Sequence, residues 1–242
     1  MLNPKLKQAA ESLKSTYNSA YEYPHTVFDN FVDPTIIKDV EVEARLLTQM
    51  PEHSWRFGGG DDEHASQLLK RGIKELDKML PSMNLLCRYF NNPEFLEFLR
   101  ELTGIEDLIG DWSFEGGGFH VTYPGGLLNI HHDFNYTDKM GPDRMYRKVN
   151  LLVYLNEDWE KEWGGELELW KSDVSSKFKS IVPQFNRAVL FNIEDAPHGH
   201  PDPLQCPEGE CRRSLAFYYY SKTPNNNKLY DRAHWKQGNQ LL

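Results

Sequence analysis

Two hydrophobic periods divide this chain. Up to about residue 108, apolar positions recur at three- and four-residue spacing, the period of one helix face. Asp33-Pro34 opens TIIKDVEVEARLL, with Pro34 suited to the first helical position. Asp61 and Asp62 precede EHASQLLKRGIKELDKML, where Leu68, Leu69, Ile73, Leu76 and Leu80 predict a second helix. Asn92-Pro93 opens EFLEFLRELTG, with Asn92 as N-cap and Gly104 just past the end. Near residue 110 the period falls to two. Gly116-Gly117-Gly118, Gly125-Gly126, Gly141-Pro142 and Gly164-Gly165 separate the runs FHVTY, LLNIHHDF, KVNLLVYL, GELELW, SIVP, RAVLFNI and RSLAFYYYS. Many short strands with Gly/Pro turns predict a sandwich or barrel.

This pattern divides one domain, residues 1–242, into three parts: mainly helical support over 1–108, a β core over 109–223, and a polar, peripheral tail over 224–242. The stretch from 134 to 146, FNYTDKMGPDRMY, is polar and reads as a mobile lid.

Composition narrows the function classes. With 39% hydrophobic and 13% aromatic residues, the 242-residue chain can build a large core. Its net charge of −9, with no basic stripe, argues against a nucleic-acid partner. The start, MLNPKLKQAAESLKS, has no apolar h-region, and no run of about 18 apolar residues occurs, so a soluble cytoplasmic protein without a membrane partner is expected. Cys87, Cys206 and Cys211 are too few for a disulfide framework and read as reduced thiols; Cys206 and Cys211, lying in one loop, are a weak zinc signal.

The candidate chemistry lies in two strand-like runs. In LLNIHHDF, alternation puts Leu127, Asn129, His131 and Asp133 on one face and Leu128, Ile130, His132 and Phe134 on the other. A His-x-Asp alone is common by chance. One more histidine would complete a 2-His-1-carboxylate set, which holds Fe(II) by three positions and leaves three open. His198 and His200 compete for that place at the end of RAVLFNI, and His198 is preferred. His25, His53, His64, His120 and His234 read as ordinary polar or core residues. In RRSLAFYYYS, Arg212, Ser214, Ala216 and Tyr218 form a small polar face opposite bulky Leu215, Phe217 and Tyr219. An arginine and a serine two apart can grip a carboxylate. Arg213 falls on the packed side or at the strand entrance and is the less favoured grip, with the choice between Arg212 and Arg213 left open.

The ordered motifs GGLLNIHHDFN, YLNEDW, GGELELW, NRAVLF, HGHPDP and RRSLAFYYYS, after LTGIEDLIGDWSFEGGGFH, resemble the prolyl-4-hydroxylase-like branch of the 2-oxoglutarate/Fe(II)-dependent dioxygenases from about residue 92 to 221. The resemblance implies a double-stranded β-helix, a jelly roll with helices packed on one sheet. It implies His131, Asp133 and His198 as catalytic metal ligands. The basic residue for the C5 carboxylate of 2-oxoglutarate maps to Arg212, with Tyr154 of VYLN on the same carboxylate and Ser214 beside it. Tyr123 of YPGG matches a tyrosine near the metal-chelating end. Two departures stand out: the long insert PDPLQCPEGEC before Arg212, and arginine where collagen-type prolyl hydroxylases often have lysine.

The chemistry so implied couples decarboxylation of 2-oxoglutarate by O₂ to C–H hydroxylation, giving succinate and CO₂, with ascorbate as a candidate accessory reductant. Halogenating relatives lack the carboxylate ligand, so Asp133 implies hydroxylation, or demethylation through hydroxylation. The expected substrate is a prolyl residue of a protein or peptide, met by Asn135, Tyr136 and Arg144 of the lid. A small molecule such as a free amino acid is the alternative substrate. A metal-binding jelly roll acting as a sensor or scaffold without turnover is the alternative of another class.

Overall fold

The computed structural model describes residues 1–50, 66–226, 228–237 and 240–241. Asp61, Asp62, His53 and His64 lie outside the described residues. In chain order the elements are helices α1 (Pro4–Gln8) and α2 (Ala10–Asn18), strand β1 (His25–Phe28), helix α3 (Pro34–Gln49), strand β2 (Gln67–Ile73), helices α4 (Pro81–Phe90) and α5 (Pro93–Thr103), and strand β3 (Ile109–Gly110). Then follow β4 (Gly118–His132), β5 (Tyr136–Thr137), β6 (Met145–Tyr154), β7 (Leu167–Trp170), β8 (Lys177–Ile181), β9 (Ala188–Asn192), β10 (His198–His200), β11 (Arg212–Ser221), β12 (His234–Gln237) and β13 (Gln240–Leu241). The main strand order is β1-β9-β6-β11-β4-β10-β7-β8, every pair antiparallel. The sheet curls on itself as a jelly roll.

Helix ends follow the local chemistry. The Asp33 carboxylate accepts from the Thr35 N–H, and the Asn92 side chain accepts from the Phe95 N–H. Gly104 closes α5 in the left-handed region, where glycine carries no Cβ penalty. Ile37, Val40, Ala44 and Leu47 of α3, Leu86 and Phe90 of α4, and Phe95 and Leu99 of α5 pack on Val149, Leu151 and Val153 of β6 and Leu215, Phe217 and Tyr219 of β11. The other face of the same strands turns inward. Strand β11 is therefore buried along its whole length, bulky toward the helices and small and polar toward the interior.

Two irregularities in β4 position the site. Between the pairs Lys70↔Thr122 and Leu68↔Leu127, residues 123–126 of β4 face only Leu69 of β2. There β4 turns a corner, its first half lying beside β11 and its second beside β10. A Cβ on Gly126 would stand 2.7 Å from Thr122 Cγ2 and 2.8 Å from the Leu68 carbonyl, so only glycine fits the bend. Farther on, His131 pairs with His198 but Leu128 pairs with His200, a second bulge. A Cβ on Gly199 would lie 2.6 Å from the carbonyls of Leu128 and Asn129.

Three expectations need correction. The periodic run around 66–80 forms no long helix: Gln67–Ile73 is a strand on β4, and only Leu76–Lys78 makes a 3₁₀ turn. Leu68 (38% exposed) and Leu69 (48%) spaced like helix-face residues are not core residues at all. The β4 edge satisfies this segment's backbone, and tertiary pairing overrides its weak helical pattern. Strand β1 and helix α4 also formed where no element was expected. Finally, the tail is not peripheral: β12 pairs with β4, setting His234 opposite His132 and Trp235 opposite His131. All three cysteines are free and buried. No helix among the described residues is long and apolar enough to cross a membrane.

Candidate active site

The second half of β4 ends in His131-His132, beside β10, and Asp133 follows directly. One ligand atom from each of His131, Asp133 and His198 lies within 4.8 Å of the other two. His131 Nε2 is 3.4 Å from Asp133 Oδ1, and His198 Nε2 is 3.5 Å from Asp133 Oδ2. Each imidazole is tied through Nδ1 to the carbonyl two residues earlier, Asn129 O for His131 and Ala196 O for His198, both at 2.9 Å. If Nδ1–H donates there, Nε2 is left as the acceptor aimed at Asp133, the tautomer a metal ligand needs. Burial pushes the His198 pKa down to about 4 despite the Asp133 charge, so this ring is neutral and available to a metal near pH 7.

Asp133 is fixed from behind. Arg147 Nη2 and Asn150 Nδ2 each donate to Oδ2 at 2.8 Å. Burial opposes ionisation, but Arg147 and the two histidines outweigh it and hold the Asp133 pKa well below the usual carboxylate range. Arg147 is wholly buried, with its guanidinium 3.3 Å from the Tyr218 ring centroid. A bulge opposite Tyr219/Tyr220 rotates Arg147 onto the interior face, which the helix-facing Val149 does not share. Sequence reasoning named neither Arg147 nor Asn150. Asn150 was findable, since it alternates inward with Leu152 and Tyr154; Arg147 was not, because the bulge breaks that alternation.

A cavity of about 400 Å³ runs from this triad to Arg212. Arg212 Nε donates to Gly165 O at 2.7 Å and Nη2 to Tyr154 Oη at 3.3 Å. Ser214 lies on the same wall, flanked across the sheet by His120 and Tyr154. Arg212 is buried and forms no ion pair with a carboxylate among the described residues. Burial lowers its pKa, an effect that Tyr154 only partly offsets. A buried guanidinium with only neutral partners calls for an anion.

The structure brings His131, Asp133, His198, Arg212, Tyr154 and Ser214 around or against this one cavity, and leaves other expected residues out. Tyr123 faces the helices, half-buried beside Arg71, whose guanidinium lies 5.4 Å from its ring; Thr122 is the neighbour that shares the face of Arg212. Plain alternation is the physical reason: Phe119, Val121 and Tyr123 share the helix-facing side of β4, opposite His120 and Thr122. Asn135 is buried and clamps the tail, donating to Lys228 O and accepting from the Tyr230 N–H, and it does not line the cavity. Tyr136 and Arg144 stack on each other, and neither lines the cavity. The segment 134–146 is a hairpin closed by Tyr136↔Tyr146 and Thr137↔Met145. Arg213 turns away toward Glu210 on the packed side.

Several cavity residues carried no recognised signal. Gln67 and Lys70 come from β2, His120 from β4, and Asp231, Arg232, Ala233 and Trp235 from the tail. Contrary to expectation, His120 is a wall residue. The Trp235 ring lies 4.7 Å from that of His131, and Tyr230 stacks on His132 at 5.9 Å. His200 lines the wall between triad and arginine, 2% exposed, with neither ring nitrogen partnered. Orphaned buried nitrogens there, a hard N/N/O donor set and a lone guanidinium fit a divalent iron and a dicarboxylate lying between them.

Comparison with known proteins agrees with this geometry. Residues 117–220 match the family model described as the 2OG-Fe(II) oxygenase superfamily. Over 94 residues the chain is 27% identical to prolyl 3-hydroxylase OGFOD1 of Xenopus laevis, a match taking in 36% of this chain and 18% of that protein. A Pseudomonas putida prolyl-4-hydroxylase superposes with a TM-score of 0.62 at 16% identity, over 88% of this chain and 99% of its own. A Trichoplax adhaerens prolyl hydroxylase, solved with a hypoxia inducible factor peptide, gives 0.63 at 17% identity, over 90% and 91%.

Proposed function

We propose that this chain, which belongs to the 2OG-Fe(II) oxygenase superfamily and has the fold of its prolyl-hydroxylase-like branch, hydroxylates a prolyl residue of a protein or peptide. The observation that carries the reading is the pairing, within one cavity, of the His131/Asp133/His198 cluster with the anion-seeking Arg212. Iron(II) held by that cluster would activate O₂ and drive decarboxylation of 2-oxoglutarate to succinate and CO₂. The chain's own part is geometric and electrostatic. Asn129 O and Ala196 O orient the two imidazoles, while Arg147 and Asn150 hold the Asp133 carboxylate in one rotamer. Arg212, with Tyr154, would take the C5 carboxylate and so fix how the 2-oxo acid end meets the metal. Trp235 and residues 231–233 form part of one wall.

The test supplies Fe(II), 2-oxoglutarate, O₂ and ascorbate with a proline-containing peptide array, reading peptide oxygenation by mass spectrometry and succinate in parallel. Peptides gaining one oxygen, with matching succinate, support the proposal. Absence of succinate under every condition would turn the reading toward a non-catalytic metal-binding jelly roll. A second reading, hydroxylation of a small molecule such as a free amino acid, is favoured by one observation: the tail lines the cavity and narrows it. Turnover of free amino acids with no peptide oxygenation would select it.

A further inference from the structure

Resting on that reading, we infer that His200 of β10 is a further hydrogen-bond donor to the cosubstrate, its imidazole N–H meeting a carboxylate oxygen of 2-oxoglutarate between the metal cluster and Arg212. The place of His200 follows from strand register. On β10, His198 and His200 are two residues apart and line the same cavity. On the neighbouring strand β7, Leu169 pairs with His198 and Glu168 with Gly199, so Leu167 comes level with His200. Two residues before Leu167, Gly165 O accepts from Arg212 Nε at 2.7 Å. His200 therefore stands between the level of the metal cluster and the level of the arginine.

Its surroundings leave the polar partner to the cavity. Leu128 pairs with His200 on β4, and Leu167 flanks it on β7; both line the cavity, and neither side chain can hydrogen-bond. The ring is 2% exposed, and neither of its nitrogens has a partner. The backbone beneath it has no room to turn the ring elsewhere. A Cβ on Gly199 would lie 2.6 Å from two β4 carbonyls, so β10 sits hard against β4 at the bulge. A neutral imidazole carries one donor and one acceptor. Burying both unmet is costly, and such a group calls for a ligand. A dicarboxylate spanning the cavity brings the acceptor that the N–H lacks.

Calorimetric titration of the Mn(II)-loaded protein tests this without turnover, using two ligands: 2-oxoglutarate, and 2-oxopentanoate, which has a methyl group in place of the C5 carboxylate. His200→Leu should weaken 2-oxoglutarate by about 10- to 100-fold, the range for a lost hydrogen bond to a charged group. A loss shared by 2-oxopentanoate supports a contact with the 2-oxo acid carboxylate, and a loss confined to 2-oxoglutarate supports one with C5. His200→Gln keeps an N–H donor and should restore part of the affinity. Ligand-free His200→Leu should hold its Tm or gain, because leucine replaces an unpartnered polar ring. Its Mn(II) affinity should match that of the parent. Unchanged 2-oxoglutarate affinity in His200→Leu, or a loss accompanied by a lower ligand-free Tm or weaker Mn(II) binding, would overturn the assignment. If the parent protein binds Mn(II) but neither 2-oxo acid, the proposed function fails with it. If Arg212→Met weakens 2-oxoglutarate and His200→Leu does not, only this inference fails.

Discussion

The two ends of the cavity solve opposite electrostatic problems. At the metal end, Asp133 and Arg147 make a buried ion pair at 2.8 Å that is complete within the protein. At the far end, Arg212 is also buried but, among the described residues, its hydrogen bonds go to a carbonyl and a phenol. One end is stable without any ligand; the other is half of an ion pair. A buried charge left unpaired costs stability, and a fold keeps such a cost where a ligand relieves it. The contrast thus separates residues that shape the site from the residue that, under the proposed function, would meet the cosubstrate.

The largest effect should come from breaking the complete end. Asp133→Ala removes one of the three proposed metal ligands and strands the Arg147 guanidinium. Loss of one partner from a buried pair costs about 3–5 kcal/mol, a fall in Tm on the order of 10 °C for a chain of this size. Thermal melts should show that fall before any metal is added, and Mn(II) titration should show no specific binding. A variant as stable as the parent would mean that Arg147 needs no counter-ion, and the contrast between the ends would collapse.

Arg212→Met should do the reverse to stability. It replaces a lone buried cation with an apolar chain of similar length, so the ligand-free protein should hold its Tm or gain. Affinity for 2-oxoglutarate should fall by about 1.5–3 kcal/mol, roughly 10- to 150-fold. Arg212→Lys keeps the charge without the fork and should give an intermediate rise in KM. The parent should gain about 2.7 kcal/mol of stability at a 2-oxoglutarate concentration of 100 times Kd, and Arg212→Met should lose that gain at the same concentration. A destabilised ligand-free Arg212→Met would show that the arginine is structural.

The same contrast explains which parts were legible in the sequence. Strand β11 alternates without a break through Arg212, Ser214, Ala216 and Tyr218, so its polar face and its guanidinium could be read directly. His131 and Asp133 follow the second bulge of β4 and keep their own local alternation. Leu128, by contrast, precedes that bulge, and although alternation turned it away from His131, it lines the cavity beside it. Bulges reset the inward–outward phase, and nothing in a period of two announces one beyond a Gly pair. Arg147 was hidden for the same reason. Lys70 was hidden because apolar spacing suggested a helix, and the tail because polar composition says nothing about pairing with an edge. Local pattern was enough for the β framework and the triad. Long-range pairing decided the second wall.

That second wall allows a smaller test. The Trp235 ring lies 4.7 Å from that of His131. An aromatic pair of this kind contributes about 0.5–1.5 kcal/mol beyond the area it buries. Trp235→Ala should weaken metal retention by roughly 2- to 12-fold, read by competition with a chelator. Affinity of the reloaded protein for 2-oxoglutarate should change less than metal affinity, because Arg212 anchors the far end. Equal losses in both would mean that the tail covers the whole cavity rather than one end of it.

The hairpin at 134–146 should matter least to either end. Its tip carries Asp138 and Arg144, which pair with each other at 2.8 Å, and it lines no part of the cavity beyond Phe134. Replacing Lys139–Pro142 by a tight two-residue turn keeps the Tyr136↔Tyr146 pairing that closes the hairpin. Mn(II) and 2-oxoglutarate affinities should then stay within about twofold of the parent, since mutations without shared partners act independently. Succinate released without a peptide present should likewise persist, because that half of the reaction needs only the metal, the cosubstrate and O₂. Oxygenation of a peptide substrate is the quantity the hairpin can still change, as an exposed loop beside a rigid sheet is where binding residues gather. A shortened variant that loses 2-oxoglutarate affinity would place the hairpin among the walls of the cavity. One that oxygenates peptide at the parent rate would remove Tyr136 and Arg144 from the list of substrate contacts and leave the comparison of the two ends untouched.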